Sequence, residues 1–191
     1  MLNLCGASWT PRFVDFFNGE TRTPEYRKNV NEMGEAPVLE FGATRMAQSG
    51  VILDYLASTF GKFGWKGETE RREILRWLLW DNHKFTSYIG TLRFLLQFQK
   101  TGETPVTEFL RGRVNGGLGI LELRLRDHQF IIGDTPTIVD ISACGYLYWP
   151  EEWGASWSQY PAIAAWLERI KSLPGWVHPY ELMPGHPLKR S

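Results

Sequence analysis

The chain has 191 residues, 43% of them hydrophobic and 14% aromatic, with 21 basic residues balancing 21 acidic ones; that is enough to bury a core in one large domain or two small ones. The balance excludes a charge-rich disordered tail and argues against nucleic acid as the main partner, which needs Lys and Arg in excess on one face. No run approaches the roughly 18–20 apolar residues that span a bilayer, MLNLCGASWT carries no leader pattern, and Cys5 and Cys144 form no CxxC, so a soluble cytoplasmic protein without a disulfide scaffold or structural zinc is expected.

Leu2 to Cys5 is a short apolar run before Gly6 and is expected to be a first strand. Phe13 to Phe17, stopped by Asn18-Gly19, reads as a second strand, and Pro24 to Asn29 as a turn or a single helical turn. Pro37 to Phe41 predicts a third strand, with Gly42-Ala43 as its turn and Thr44 to Ala47 completing a hairpin. Ser49 to Phe60 predicts a helix capped by the Ser49 hydroxyl, with Val51, Ile52, Tyr55, Leu56 and Phe60 on one face. The glycine-rich, aperiodic stretch Gly61 to Gly67 reads as a linker between residues 1–60 and 68–191.

Beyond it the pattern is helical. Ile74, Leu78, Phe85, Ile89, Leu92 and Leu96 trace a stripe that predicts one long helix over about 68–100. Thr104-Pro105 starts another, to about His128; its Gly116, Gly117 and Gly119 cost roughly 1 kcal/mol each against alanine and predict either a break or close packing. Phe130 to Asp134 reads as a buried turn. Thr137 and Asp140 have capping-box spacing, whose loss costs about 0.5–2 kcal/mol. Tyr160-Pro161 opens a last helix, stopped by Leu173-Pro174-Gly175. His128, His178 and His186 show no ligand spacing, so no metal is expected.

Three segments carry a family resemblance: GEAPVLEFGATRMAQSGVILDYLA (Gly34 to Ala57), FIIGDTPTIVDISACG (Phe130 to Gly145) and YPAIAAWLERIKSLPGW (Tyr160 to Trp176). In this order and at these separations the chain resembles the cytosolic glutathione transferases (the glutathione S-transferase-like family). The resemblance implies an α/β plus all-α architecture, with a thioredoxin-like glutathione-binding half followed by an all-helical half. It implies glutathione as co-substrate and a homodimer. It also implies a cis Pro37, Val38 offering its backbone to the cysteinyl unit of glutathione, and Gln48 with Ser49 holding the γ-glutamyl group. Asp140 is then structural rather than catalytic.

The implied reaction is attack of the glutathione thiolate on a small electrophile, and a thiol that titrates near about 8.5 needs help to ionise. Thr10, four residues after Gly6 and followed by Pro11, is the first candidate for the activating hydroxyl, and Ser8 the second; Cys5, inside the expected strand, is a weaker analogue. Only seven residues separate Cys5 from Phe13, too few for a crossover between parallel strands, so the first crossover helix is expected to be missing or shortened. Trp77, Asp81, Tyr88, Tyr146 and Trp149 are candidates for the co-substrate pocket. Asp81 stands out because it falls on the apolar stripe, where a carboxylate must be paired or face a cleft. Two alternatives stand beside conjugation: a non-catalytic binding or structural protein on the same fold, and a glutathione-dependent peroxidase, isomerase or dehalogenase.

Overall fold

The computed structural model describes residues 1–182; the end of the chain, including His186, lies outside the described residues. Leu2–Cys5 is not a strand but one helical turn, α1, closed by Gly6 at φ 74 with its N–H on Asn3 and Leu2 carbonyls. Phe13–Phe17 is also not a strand: it runs without regular structure to a short 3-10 turn at Glu20–Arg22. The reason is common to both. A strand needs a paired neighbour, and seven residues cannot carry the chain across to a parallel one, so the backbone bonds locally instead.

The rest of the first half is regular. α2 (Pro24–Asn29) is capped by Thr23, whose hydroxyl accepts from Tyr26 N at 3.1 Å. Tyr26 is buried, and its phenol and the Asn31 amide both donate to Glu35 O, at 3.0 and 2.9 Å, fixing the approach to the Ala36–Pro37 peptide, which is cis. β1 (Val38–Phe41) and β2 (Thr44–Ala47) pair antiparallel, Val38 opposite Ala47, and form the whole sheet among the described residues. This hairpin and the following helix are what remains of the thioredoxin-like half.

α3 (Ser49–Phe60) starts differently from expectation. Ser49 is its first helical residue, not its cap; Gln48, at φ 68, holds the cap position and no side chain closes the first turn. The buried face is Leu53, Leu56 and Ala57, whereas Val51 and Phe60 are exposed. The stripe read from the sequence has no covering layer on part of its length, because the strand and helix that would cover it are absent.

The long helix is also not uniform. α4 (Glu68–Trp80) and α5 (Thr86–Arg93) are joined by a π-turn at Asp81–Phe85, and a second π-turn spans Phe94–Phe98. Ile74, Leu78, Phe85, Ile89 and Leu92 are buried as the stripe predicts. α6 (Pro105–Arg126) is unbroken, with Thr104 and Thr107 forming its capping box. The glycine question resolves at one position: a Cβ on Gly117 would lie 2.6 Å from the Phe85 ring, whereas Gly116 and Gly119 face open space. Phe85 in turn stacks on Trp80 at 5.1 Å. Gly117 therefore lets α6 close on the π-turn. Gly117→Ala is expected to destabilise the fold by about 1–3 kcal/mol through overpacking, and Gly116→Ala to stabilise it by about 0.5–1 kcal/mol, both read by urea unfolding.

α7 (Ile138–Ala143), α8 (Pro161–Lys171) and α9 (Pro179–Leu182) complete the chain. The core lies where α5, α6, α7 and α8 meet, around Leu118, Leu121, Ile131, Ile163 and Trp166. Asp140 sits in it, completely buried. Its Oδ1 accepts from Ile131 N and Trp166 Nε1, both at 2.9 Å, and its Oδ2 from Thr137 N at 2.8 Å and Thr137 Oγ1 at 3.1 Å.

Candidate functional site

The missing layer leaves a large open cleft of about 1890 Å³ between the hairpin, α3 and the helical half. The N-terminal segment lines one side with Ser8 and Thr10, and the hairpin contributes Pro37 and Val38. Ser49 enters from the start of α3, and Tyr146 from the segment after α7. Six of the residues singled out in the sequence thus face one space. Ser8 and Thr10 are exposed there, and neither hydroxyl has a hydrogen-bond partner among the described residues.

The start of α3 has the chemistry of an anion site. Ile52 N is the first amide to bond within the helix, on Gln48 O at 3.0 Å, so the N–H groups of Ser49, Gly50 and Val51 precede the helical ladder. The Ser49 hydroxyl is turned to the helical half and donates to Asn82 Oδ1 at 3.4 Å. Gln48 stands outside the cleft lining: its amide nitrogen donates to Glu35 Oε2 at 2.7 Å, and its positive φ carries the chain from β2 into α3.

Four pocket candidates fall elsewhere. Trp77 is buried, its indole N–H on Glu73 Oε1 at 3.0 Å one turn back along α4. Trp149 is buried and stacked on Tyr180 at 4.4 Å. Tyr88 packs on the core: it is two positions beyond Thr86, which puts it on the opposite side of α5 from the cleft. Asp81 is completely buried behind the cleft wall rather than in it. Cys5 is buried too, and burial raises its thiol pKa, which disfavours a thiolate there.

Sequence reasoning missed the residues that face the cleft from the helical half: Asn82 and Thr86, four apart on the long helix, with Ser142, Tyr148 and Trp176. The 82/86 spacing, which sets both polar side chains on one helix face, was the available signal. Burial raises the Tyr148 phenol pKa, and its hydroxyl has no hydrogen-bond partner among the described residues. α9 is anchored beside the cleft by a half-buried cluster in which Arg93 and Tyr180 both bind the Glu152 carboxylate, and Arg93 Nη2 donates to Tyr180 Oη at 2.7 Å. Pro179 and Leu182 border the cleft there. Among the described residues no group of three His, Cys, Asp or Glu side chains is placed to hold a metal ion, and no helix is long and apolar enough to cross a membrane.

Residues 84–174 match the family model for the glutathione S-transferase C-terminal domain. The chain is 28% identical over 190 residues to glutathione S-transferase F14 of Arabidopsis thaliana, covering 92% of this chain and 74% of that one. It is 28% identical over 173 residues to a maleylacetoacetate isomerase of Rhizobium meliloti, covering 86% and 80%. The crystal structure of a glutathione S-transferase from Pseudomonas fluorescens Pf-5 superposes with a TM-score of 0.85 at 30% identity, covering 92% of this chain and 88% of that one. With a site-bearing cleft set between a hairpin–helix unit and a helical half, and with this likeness along nearly its whole length, the chain belongs to the glutathione S-transferase family.

Proposed function

We propose that the protein is a glutathione transferase that conjugates the glutathione thiolate to a small electrophile. The observation that carries the reading is the convergence of three kinds of group on one cleft: the Val38 backbone, the uncapped start of α3 with Ser49, and the free hydroxyls of Ser8 and Thr10. Val38 supplies main-chain bonds to the cysteinyl unit, in the manner of an added strand. The α3 amides hold the γ-glutamyl carboxylate, which the positive end of the helix favours, and the Ser49 hydroxyl joins them by turning its proton from Asn82 Oδ1 to the ligand. Gln48 guards the outer rim of that end. Thr10, or Ser8 beside it, donates to the thiolate and so lowers the thiol pKa toward neutrality. Tyr146 and the apolar wall of the cleft receive the electrophile.

The protein acts as a cytoplasmic homodimer in this reading. Exposed Leu75 and Leu79 on α4, with Ile120 and Leu123 on α6, supply apolar surface for the partner. These two helices are neighbours, with the Arg124 guanidinium 5.8 Å from the Trp77 ring. Likeness to the maleylacetoacetate isomerase favours a second reading of the same cleft, as that of a glutathione-dependent isomerase.

Calorimetry with glutathione tests the shared step. Saturable binding is expected, and Ser49→Ala should weaken it roughly five- to tenfold, the worth of one hydrogen bond of about 1 kcal/mol, without changing the unfolding midpoint. Absence of binding by the folded protein removes both readings and leaves the non-catalytic one.

A further inference from the structure

Ser8 and Thr10 stand on a segment that its own backbone does not hold in place. Residues 7–18 form neither helix nor strand, and Ser8 to Phe13 make no backbone–backbone hydrogen bond among the described residues. Two glycines in the left-handed region bound the segment, Gly6 at φ 74 and Gly19 at φ 85, and nothing packs where a Cβ on Gly6 would stand. Side chains therefore decide where the segment lies. The Trp9 indole N–H donates to Asn3 Oδ1 at 2.5 Å, which ties it only to the neighbouring turn α1. Arg12 meets Glu40 of β1 at 3.9 Å, an exposed pair that contributes little.

Phe17 makes the contact that reaches the helical half. Its ring stacks on Phe98, with centroids 4.6 Å apart and planes 28° apart. Both sides of this stack are braced. Phe98 closes the second π-turn, stacks on Phe94 at 6.1 Å and lies 5.1 Å from the Arg93 guanidinium, while the adjacent Gln97 amide donates to Glu152 O at 2.7 Å. Phe17 sits in a closed loop: Glu20 N donates to Asp15 O at 3.0 Å, Asp15 N to Glu20 Oε2 at 2.6 Å, and the Asn18 amide to Asp15 Oδ2 at 2.8 Å. Ser8, Thr10 and Phe17 all line the cleft.

We infer that Phe17 is a positioning residue for the thiol-activating hydroxyls: its stack on Phe98 latches segment 7–18 to the helical half and so sets where Ser8 and Thr10 stand. The role of the hydroxyls rests on the glutathione reading given above; the latch itself does not. With the stack in place the hydroxyl donor is held ready for the thiolate. Without it the segment swings about its two glycines, and the donor meets the thiolate for only part of the time.

Two measurements on the full chain test the inference. Trypsin reaches the Arg12–Phe13 bond when the segment swings free, and intact mass reads the cut. Phe17→Ala and Phe98→Ala should each speed this cut about threefold or more relative to cleavage elsewhere in the chain, and Phe17→Tyr should restore the native rate. Unchanged cleavage in both alanine variants, or cleavage that rises equally at every site as a general loss of structure would cause, overturns the latch. The second measurement is the pH at which bound glutathione ionises, followed by the ultraviolet absorption of its thiolate. Phe17→Ala should raise that pKa by about 0.5–1 and keep glutathione affinity within about twofold of native, with Phe17→Tyr again restoring it. Faster cleavage with an unchanged thiol pKa overturns the positioning role and leaves the glutathione reading intact. A native protein that binds no glutathione overturns that reading and the positioning role together, and the cleavage rates still decide the latch.

Discussion

Alanine at position 140 is expected to cost the protein about 3–5 kcal/mol, several times what a lost cap would cost. The capping box accounts only for the two bonds from Thr137. The structure adds Ile131 N and the Trp166 indole, each at 2.9 Å in a region closed to water. Removing the carboxylate strands buried donors from three different segments: the 130–134 turn, the start of α7, and α8. Each stranded donor costs roughly 1–3 kcal/mol. Part of that is recovered, because burial raises the Asp140 pKa above the usual carboxylate range and so marks a cost of keeping the group charged. Urea unfolding followed by circular dichroism measures the loss. A loss under about 1 kcal/mol would mean that Asp140 is not the hub of the helical half. A fully stable variant without turnover would make it a functional residue instead.

Asp81→Asn is expected to act in the opposite direction, and its effect should depend on pH. Burial pushes the Asp81 carboxyl up from 3.8 to about 6, with the Ser142 and Thr86 hydrogen bonds opposing the rise. The folded state therefore holds this proton more tightly than the unfolded chain does. Stability from this group is present below the unfolded pKa and is lost as pH rises toward 6; above 6 the full penalty stands. The shift corresponds to about 3 kcal/mol at neutral pH. Asparagine keeps an acceptor for Ser142 and cannot ionise, so the variant escapes the penalty. The stability of Asp81→Asn relative to the native protein should rise by about 2–3 kcal/mol between pH 4 and pH 7.5. A difference that does not change over this range would show that the carboxyl titrates normally in the fold.

How much of this was legible in the sequence varied by element. The hairpin at 38–47, α3, the long helical stretch from residue 68, α6 and α8 were all visible, because their hydrophobic periods and turn residues are local, whereas the two π-turns that interrupt the long stretch were not. So was the Thr137–Asp140 box, which needs only three-residue spacing. The two N-terminal strands were misread. Leu2–Cys5 and Phe13–Phe17 have strand-like composition, but pairing is a property of two segments, and the seven residues between them remove the connection. The shortfall that showed the crossover helix to be missing was thus also the reason for doubting the strands it would have joined.

The site divided along the same line. Pro37, Val38 and Ser49 could be placed from a contiguous segment, and Ser8 and Thr10 from their distance to Gly6; all five face the cleft. The aromatic candidates could not be sorted in this way. Trp77, Tyr88 and Trp149 have the composition of pocket residues, and only the packing of α4, α5 and the chain end turned them into the core, while Tyr146 reached the cleft. Asp81 was conspicuous in the sequence as a carboxylate on an apolar stripe. Its partner Ser142 lies sixty-one residues away, and no spacing rule connects them. The sequence by itself determined the helices, the hairpin, the capping box and the segment that starts α3, because those depend on neighbours within a few residues. Only the tertiary structure decided which side chains share the cleft and which groups meet the buried Asp81 carboxylate. Burial and polar complementarity arise between elements brought together by folding, and they have no period along the chain.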